Sequence, residues 1–172
     1  MASSSTEETT TKLLALVFDD LYKADEARAA LLRMEGEGLL ELDETAVIVN
    51  KDGEKMRISQ DINIVSKRQQ AGHMLGILAA NLTGTMPFIL AGTVAGRLIG
   101  RFTDNGVTNS FINQVKKELA PGTSALLLCA RSDAERRAKV IERLRPFGPK
   151  LLQSNLPPEL EQELEQALSA AG

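Results

Sequence analysis

Two continuous apolar runs stand out along the chain, Leu13 to Phe18 and Ser124 to Ala130. Each has the length of a strand and contains no charged residue, a pattern typical of strands that are buried on both faces. We therefore expect these runs to be the first and fourth strands of one sheet and to form its central pair.

Apolar residues at helical spacing predict three helices between and after these strands. The first spans roughly Lys23 to Glu35. The second spans about Ser110 to Ala120 and is expected to be capped by Asn109 or Ser110. The third runs from Ala134 to Arg145 behind the capping residue Asp133. The residues expected to face inward are Ala27, Ala30, Leu31, Met34, Phe111, Ile112, Val115, Leu119, Val140, Ile141 and Leu144.

A hairpin with a tight two-residue loop is predicted at Asp52-Gly53, between strands at Thr45 to Asn50 and Glu54 to Ser59. A short extra strand is predicted at Lys150 to Gln153. The order of the elements is that of the split βαβ, or ferredoxin-like, arrangement. We therefore expect an α+β fold, a ferredoxin-like βαββαβ sheet domain with an inserted glycine-rich helical hairpin and a helical C-terminal extension.

The longest apolar stretch lies between the third strand and the second helix of that sheet. No Asp, Glu, Lys or Arg occurs from Gln69 through Gly96. Glycines recur there at four-residue spacing, which places them on one helix face and lets a second helix backbone approach closely. The residues expected to mediate helix packing, in an oligomer or in a membrane, are Gly72, Gly76, Gly84, Pro87, Gly92, Gly96 and Gly100.

The two ends of this stretch constrain its path. If residues 71–101 crossed a membrane once, the two most apolar strands would lie on opposite sides of it and could not pair. A turn is predicted near Gly84 to Pro87, because proline breaks or kinks the middle of a helix. Each half then has about 13 residues and a length of roughly 20 Å, less than the ~30 Å hydrocarbon core of a bilayer. We therefore expect a helical hairpin that is covered by lipid, by other copies of the chain or by its own domain.

Residue types with catalytic or metal-binding chemistry are sparse and scattered. Asp19 and Asp20 follow a strand, where carboxylates can bind Mg²⁺ or transfer protons, although the start of a helix uses the same residues. His73 is the sole histidine and Cys129 the sole cysteine, which makes each a poor metal ligand. We expect no catalytic residue, no metal, no cofactor and no small-molecule substrate, and therefore a non-enzymatic protein.

Composition and charge narrow the expected partners. Aromatic residues make up 3% of the chain and the net charge is −3, which argues against a nucleic-acid partner. Seven basic and three acidic residues lie between Arg131 and Lys150, and four glutamates follow in a predicted helix from Pro157 to Leu168. The basic run could meet anionic lipid or RNA. We favour a solvated face, with pairing to the acidic helix of the same or a neighbouring chain.

Several segments together resemble a known bacterial family. They are LLALVFDDLYKADEA near the start, the glycine-rich segment ending AGRLIG, the following FINQVKKELAPGTSALLLC and the closing NLPPELEQELEQAL. In these segments the chain resembles the bacterial domain-of-unknown-function family numbered twelve-sixty-nine. The resemblance implies a small α+β domain with a glycine-rich hydrophobic insert, commonly labelled a predicted membrane protein, and no assigned activity. This chain departs from the family in having Asn81, Thr83, Thr85 and Pro87 inside the insert.

These patterns divide the chain into a disordered tail (1–11), a ferredoxin-like domain (12–70 and 102–131), an inserted apolar helical hairpin (71–101) and a helical C-terminal extension (132–172). The polar, acidic start is not a secretory signal, so we expect the cytoplasm or the cytoplasmic face of a membrane. The function expected first is membrane association through the hairpin. The alternative is a cytoplasmic homo-oligomeric scaffold held together by glycine-faced hairpins.

Overall fold

Strands and helices alternate along most of the residues that the structure describes. The computed structural model describes residues 10–53, 56–58, 82–83 and 106–154. Within these ranges the fold is α+β, with one five-stranded antiparallel sheet and three α-helices. The elements are β1 (Thr10–Phe18), α1 (Lys23–Gly36), β2 (Glu41–Asn50), β3 (Met56–Ile58), α2 (Gly106–Glu118), β4 (Thr123–Ser132), α3 (Ala134–Leu144), a 3₁₀ turn (Arg145–Phe147) and β5 (Lys150–Gln153).

The sheet is built around the pairing of β1 with β4. Its strand order is β3-β2-β4-β1-β5, and every neighbouring pair is antiparallel. β1 and β4 match residue for residue, from Thr10 opposite Ser132 to Phe18 opposite Ser124. Both apolar runs are therefore interior strands, and the prediction that they form the central pair is confirmed.

Side chains that alternate along these strands build a separate core on each face of the sheet. On one face, Leu13 and Leu127 pack with α2. On the other face, Leu16 and Leu126 pack with α1 and α3. Because both faces are covered, positions 13–18 of β1 and 125–130 of β4 are all apolar, which explains why these strands appear as continuous runs in the sequence.

Two predictions about the ends and faces of the helices are wrong, and one is confirmed. α2 begins at Gly106, so both predicted capping residues, Asn109 and Ser110, lie inside the helix. Ile141 is 50% exposed, whereas its neighbour Val140 is buried, because only one side of α3 faces the sheet. Asp133 caps α3 as predicted, since its side chain accepts a hydrogen bond from a backbone N–H in the first turn.

The hairpin of β2 and β3 has a longer connection than the predicted two-residue loop. Its last paired residues are Asn50 and Met56, so residues 51–55 join the strands. Gly53 has a φ of +84°, and a Cβ built there would lie 2.9 Å from Cγ of Pro121. The loop therefore requires glycine both for its backbone conformation and for its close approach to the segment that follows α2.

Asn50 joins this hairpin to the C-terminal end of α2. Its Nδ2 donates a 2.6 Å hydrogen bond to the carbonyl of Leu119, and its Oδ1 accepts a 2.9 Å hydrogen bond from the N–H of Gly53. Its own carbonyl accepts a 2.7 Å hydrogen bond from the N–H of Gly122. Asn50 is 3% exposed, so water has little access to replace these bonds.

Asn50→Ala removes both side-chain hydrogen bonds and leaves the buried carbonyl of Leu119 without this donor. We expect the free energy of unfolding to fall by roughly 1–3 kcal/mol, measured by urea denaturation followed by circular dichroism. Lys51→Ala is the matched control, because that neighbour is exposed and should change stability by less than roughly 0.5 kcal/mol. Equal unfolding midpoints for the two variants would contradict the structural role of Asn50.

Candidate functional site

An apolar groove with a volume of about 480 Å³ lies between α3 and the strands β4, β1 and β5. The sheet forms its floor and α3 forms one wall. Leucine and isoleucine side chains supply most of its surface. Those from the strands and α3 are Leu14, Leu16, Leu128, Ile141, Leu144 and Leu151.

The groove concentrates the exposed apolar surface of the described residues. Three large hydrophobic side chains in these ranges are exposed, and two of them, Ile141 and Leu151, line the groove. Each is 50% exposed, one on α3 and the other on β5. A contiguous apolar surface of this kind marks a place where a ligand or another segment of protein binds.

The rim of the groove is positively charged. Lys12, Arg137 and Arg145 line it, and none of the described lining residues is acidic. The guanidinium of Arg137 donates a 2.9 Å hydrogen bond to the carbonyl of Ser132, another lining residue. The groove therefore suits an occupant that is apolar on one side and anionic on the other.

Most of the basic run from Arg131 to Lys150 is already neutralised by carboxylates within the described residues. Five of its seven cations form ion pairs, and Arg137 and Arg145 form none with a described residue. These two are the members of the run that line the groove. The pairs are Arg131–Asp43, Arg136–Asp133, Lys139–Glu135, Arg143–Glu37 and Lys150–Glu118.

Asp20, one of the two carboxylates considered for catalysis, organises the start of α1. Its Oδ1 accepts hydrogen bonds of 2.7 Å from the N–H of Tyr22 and 3.1 Å from the N–H of Lys23. The hydroxyl of Ser124 donates to the carbonyl of Asp20 and accepts from the N–H of Ala24, which connects this turn to β4. In the part of the chain that the structure describes, no group of three or more His, Cys, Asp and Glu residues could hold a metal ion.

Cys129 lies in the middle of β4 and has no exposed surface. Burial raises the pKa of its thiol well above the ordinary value, and the negative charges of Glu44 and Asp43 raise it further. The reactive thiolate is therefore disfavoured in the folded protein, as expected for a residue that contributes to packing and not to chemistry.

The glycines predicted to pack helices, Gly72, Gly76, Gly84, Gly92, Gly96 and Gly100, lie outside the described residues, as do Pro87 and the predicted helix from Pro157 to Leu168. Two residues of segment 71–101 are described, Leu82 and Thr83, and both are helical. Leu82 is 5% exposed and belongs to the core that α2 forms with the sheet. Within the described ranges, no helix has both the length and the apolar character needed to cross a membrane.

A protein family described as "Protein of unknown function (DUF1269)" matches residues 69–169. The chain belongs to this family. The matched region contains segment 71–101, α2, β4, α3 and β5, whereas β1, α1, β2 and β3 precede it. No curated protein and no solved structure matches the chain. The family resemblance seen in the sequence is thus confirmed, and the family's description assigns no activity.

The sole cysteine provides a direct test of the packing of β4. We expect Cys129 to react with a thiol-specific reagent at least about 100-fold more slowly in buffer than in urea, because only the unfolded chain exposes the thiolate. In a Cys129→Ala background, Lys139→Cys, at an exposed position of α3 outside the groove lining, should react at the unprotected rate in both conditions. Fast labelling of native Cys129 would show that the described core is open.

The same pKa shift links stability to pH. The thiol of Cys129 ionises at a lower pH in the unfolded chain than in the folded protein. The stabilisation of the folded state by the protonated thiol is therefore complete below the unfolded pKa and is lost as the pH rises from there through the folded pKa. Unfolding curves of the wild type and Cys129→Ala should therefore differ in their alkaline limb. Parallel pH profiles above the unfolded pKa would contradict the shift.

Proposed function

We propose that this protein is a non-enzymatic assembly protein, in which the sheet domain carries the apolar segment 71–101 as a surface for association with other copies of the chain in the cytoplasm. The connections at the two ends of this segment support the proposal. β3 precedes it and pairs with β2, whereas α2 follows it and packs on the same sheet. Both ends of the segment therefore attach to one domain, so the segment must return to the side from which it leaves.

The observation that carries this proposal is the burial of Leu82. This residue lies inside segment 71–101, and it contacts the core on the α2 face of the sheet. Phe111 and Val115 of α2 belong to the same core. Contact of this residue with the core of its own domain favours protein over lipid as the cover of the segment. We assign the remaining apolar surface of the segment, with its glycine faces, to neighbouring copies.

We further infer that the sheet domain has the ferredoxin-like arrangement, built from β1, α1, β2, β4, α3 and β5. The strand order β5-β1-β4-β2 and the position of α1 and α3 in one core on the same face support this inference. In this view β3, the apolar segment and α2 are together an insertion between β2 and β4. The second helix of the ferredoxin-like arrangement is then α3, whereas the sequence pattern assigned that place to α2.

Gly96→Leu tests the assembly proposal. We expect the wild type to form an oligomer in detergent-free buffer, with a mass well above the 18.6 kDa of one chain, measured by size-exclusion chromatography with light scattering. The leucine should reduce that mass, because its side chain prevents close approach of a second helix at the glycine face.

Gly36→Leu is the matched control for this experiment. Gly36 lies at the end of α1, is exposed and has nothing within 4 Å of an added Cβ. This variant should keep the mass of the wild type. A wild-type protein that is monomeric at all concentrations, or an unchanged mass for Gly96→Leu, would refute the assembly proposal.

Membrane association through segment 71–101 is a second candidate. The run without charge from Gln69 through Gly96, with Lys67, Arg68, Arg97 and Arg101 flanking it, favours this candidate. Flotation of the purified protein with liposomes of anionic lipid distinguishes the two. Recovery of the protein with the floating vesicles supports membrane association, and recovery only in the dense fractions rejects it.

A further inference from the structure

We propose that the C-terminal segment 155–172 of the same chain docks into the groove between α3 and β5, with its leucines on the apolar floor and its glutamates at the basic rim. This inference concerns a different part of the molecule from segment 71–101. It goes beyond the proposed assembly function and does not depend on it.

Charge complementarity is the first argument. Arg137 and Arg145 form no ion pair with a described residue, and they lie in the groove lining together with Lys12. Segment 155–172 contains no Lys or Arg, and its four acidic residues are glutamates. Arg137 and Arg145 therefore lie at the site where an acidic segment would meet them. The glutamates are Glu159, Glu161, Glu163 and Glu165.

The apolar pattern of the segment is the second argument. Leu160, Leu164 and Leu168 recur every four residues, which places them on one face of a helix. A helix from Pro157 to Leu168 has a length of about 18 Å, close to the roughly 16 Å of the 11-residue α3 that forms the wall. The leucine stripe can therefore cover Ile141 and Leu151, the two half-exposed side chains of the groove.

The starting point of the segment is the third argument. Ser154 is 4% exposed, and both its N–H and its hydroxyl donate to the carbonyl of Leu13, at 3.1 and 3.2 Å. The segment therefore starts from Ser154, which directly follows Gln153, and Gln153 pairs with Leu14 in the groove lining. Pro157 and Pro158 cannot donate ladder hydrogen bonds, which disfavours continuation of β5 into the segment.

This short tether selects the chain's own segment over that of a second copy. A segment fixed at Ser154 is held near the groove at an effective concentration in the millimolar range. A segment from another molecule reaches the same groove only at its bulk concentration. We therefore assign the groove to docking within one chain.

A disulfide trap tests this assignment in the full-length protein. In a Cys129→Ala background, Ile141→Cys on the wall is combined with Leu164→Cys in the middle of the predicted leucine stripe. In a glutathione redox buffer we expect an intramolecular disulfide, with an effective concentration at least about tenfold above that of a control pair. The control combines Leu164→Cys with Lys139→Cys, an exposed position on α3 that does not line the groove.

Each other outcome of the trap overturns the proposal. Equal effective concentrations for the two pairs would show that the segment has no preferred position. A disulfide between two chains, seen as a dimer on a non-reducing gel, would assign the groove to a second copy. Circular dichroism of the reduced variants verifies that each is folded before the disulfide is measured.

Charge reversal tests the ionic contribution separately. Arg137→Glu combined with Arg145→Glu should lower the effective concentration of the Ile141–Leu164 cysteine pair roughly three- to tenfold, because the rim then repels the glutamates. Changing the four glutamates of the segment to lysine in the same protein should restore it. Unchanged trapping in the first variant, or no recovery in the second, would refute the ionic complementarity on which the proposal rests.

Discussion

The antiparallel pairing of β1 with β4 is the constraint on which the rest of the structure depends. These strands lie more than 100 residues apart in the sequence and pair along nine residues, with neither at the edge of the sheet. β2 pairs with β4, β5 pairs with β1, and helices cover both faces. Residues 59–105 must begin and end at this sheet, because β3 before them pairs in it and α2 after them packs on it.

The local patterns that predicted this sheet were strong, but they contain no information about which face each helix covers. The inward residues of α1 and α2 are equally regular in the sequence, yet α1 packs beside Leu16 and α2 beside Leu13, on opposite faces. Ile141 shows a related limit. It is adjacent to buried Val140, and only the position of α3 against the sheet shows that its side chain remains half exposed. Turn chemistry correctly located the β2–β3 hairpin. The close approach of Gly53 to Pro121 could not be predicted in the same way, because the two residues are far apart in the sequence.

The candidate site could be predicted only in part. The basic run from Arg131 to Lys150 and the acidic segment after it are visible in the sequence. Which cations remain for a partner is decided by folding, since Arg131, Arg143 and Lys150 pair with carboxylates on distant elements. Those carboxylates are Asp43, Glu37 and Glu118. Lys12 lies in the same groove lining as Arg137 and Arg145 because β1 forms part of the floor, a relation that requires the strand order.

The lengths of the outermost strands determine how copies of this domain can meet. In the described part of the chain, β3 has three residues and β5 has four, and the longer strands all lie between them. At the β5 border, four residues offer few unpaired backbone groups to a foreign strand, which opposes strand addition there. A contact between copies at this border would therefore form through side chains and not through a shared sheet.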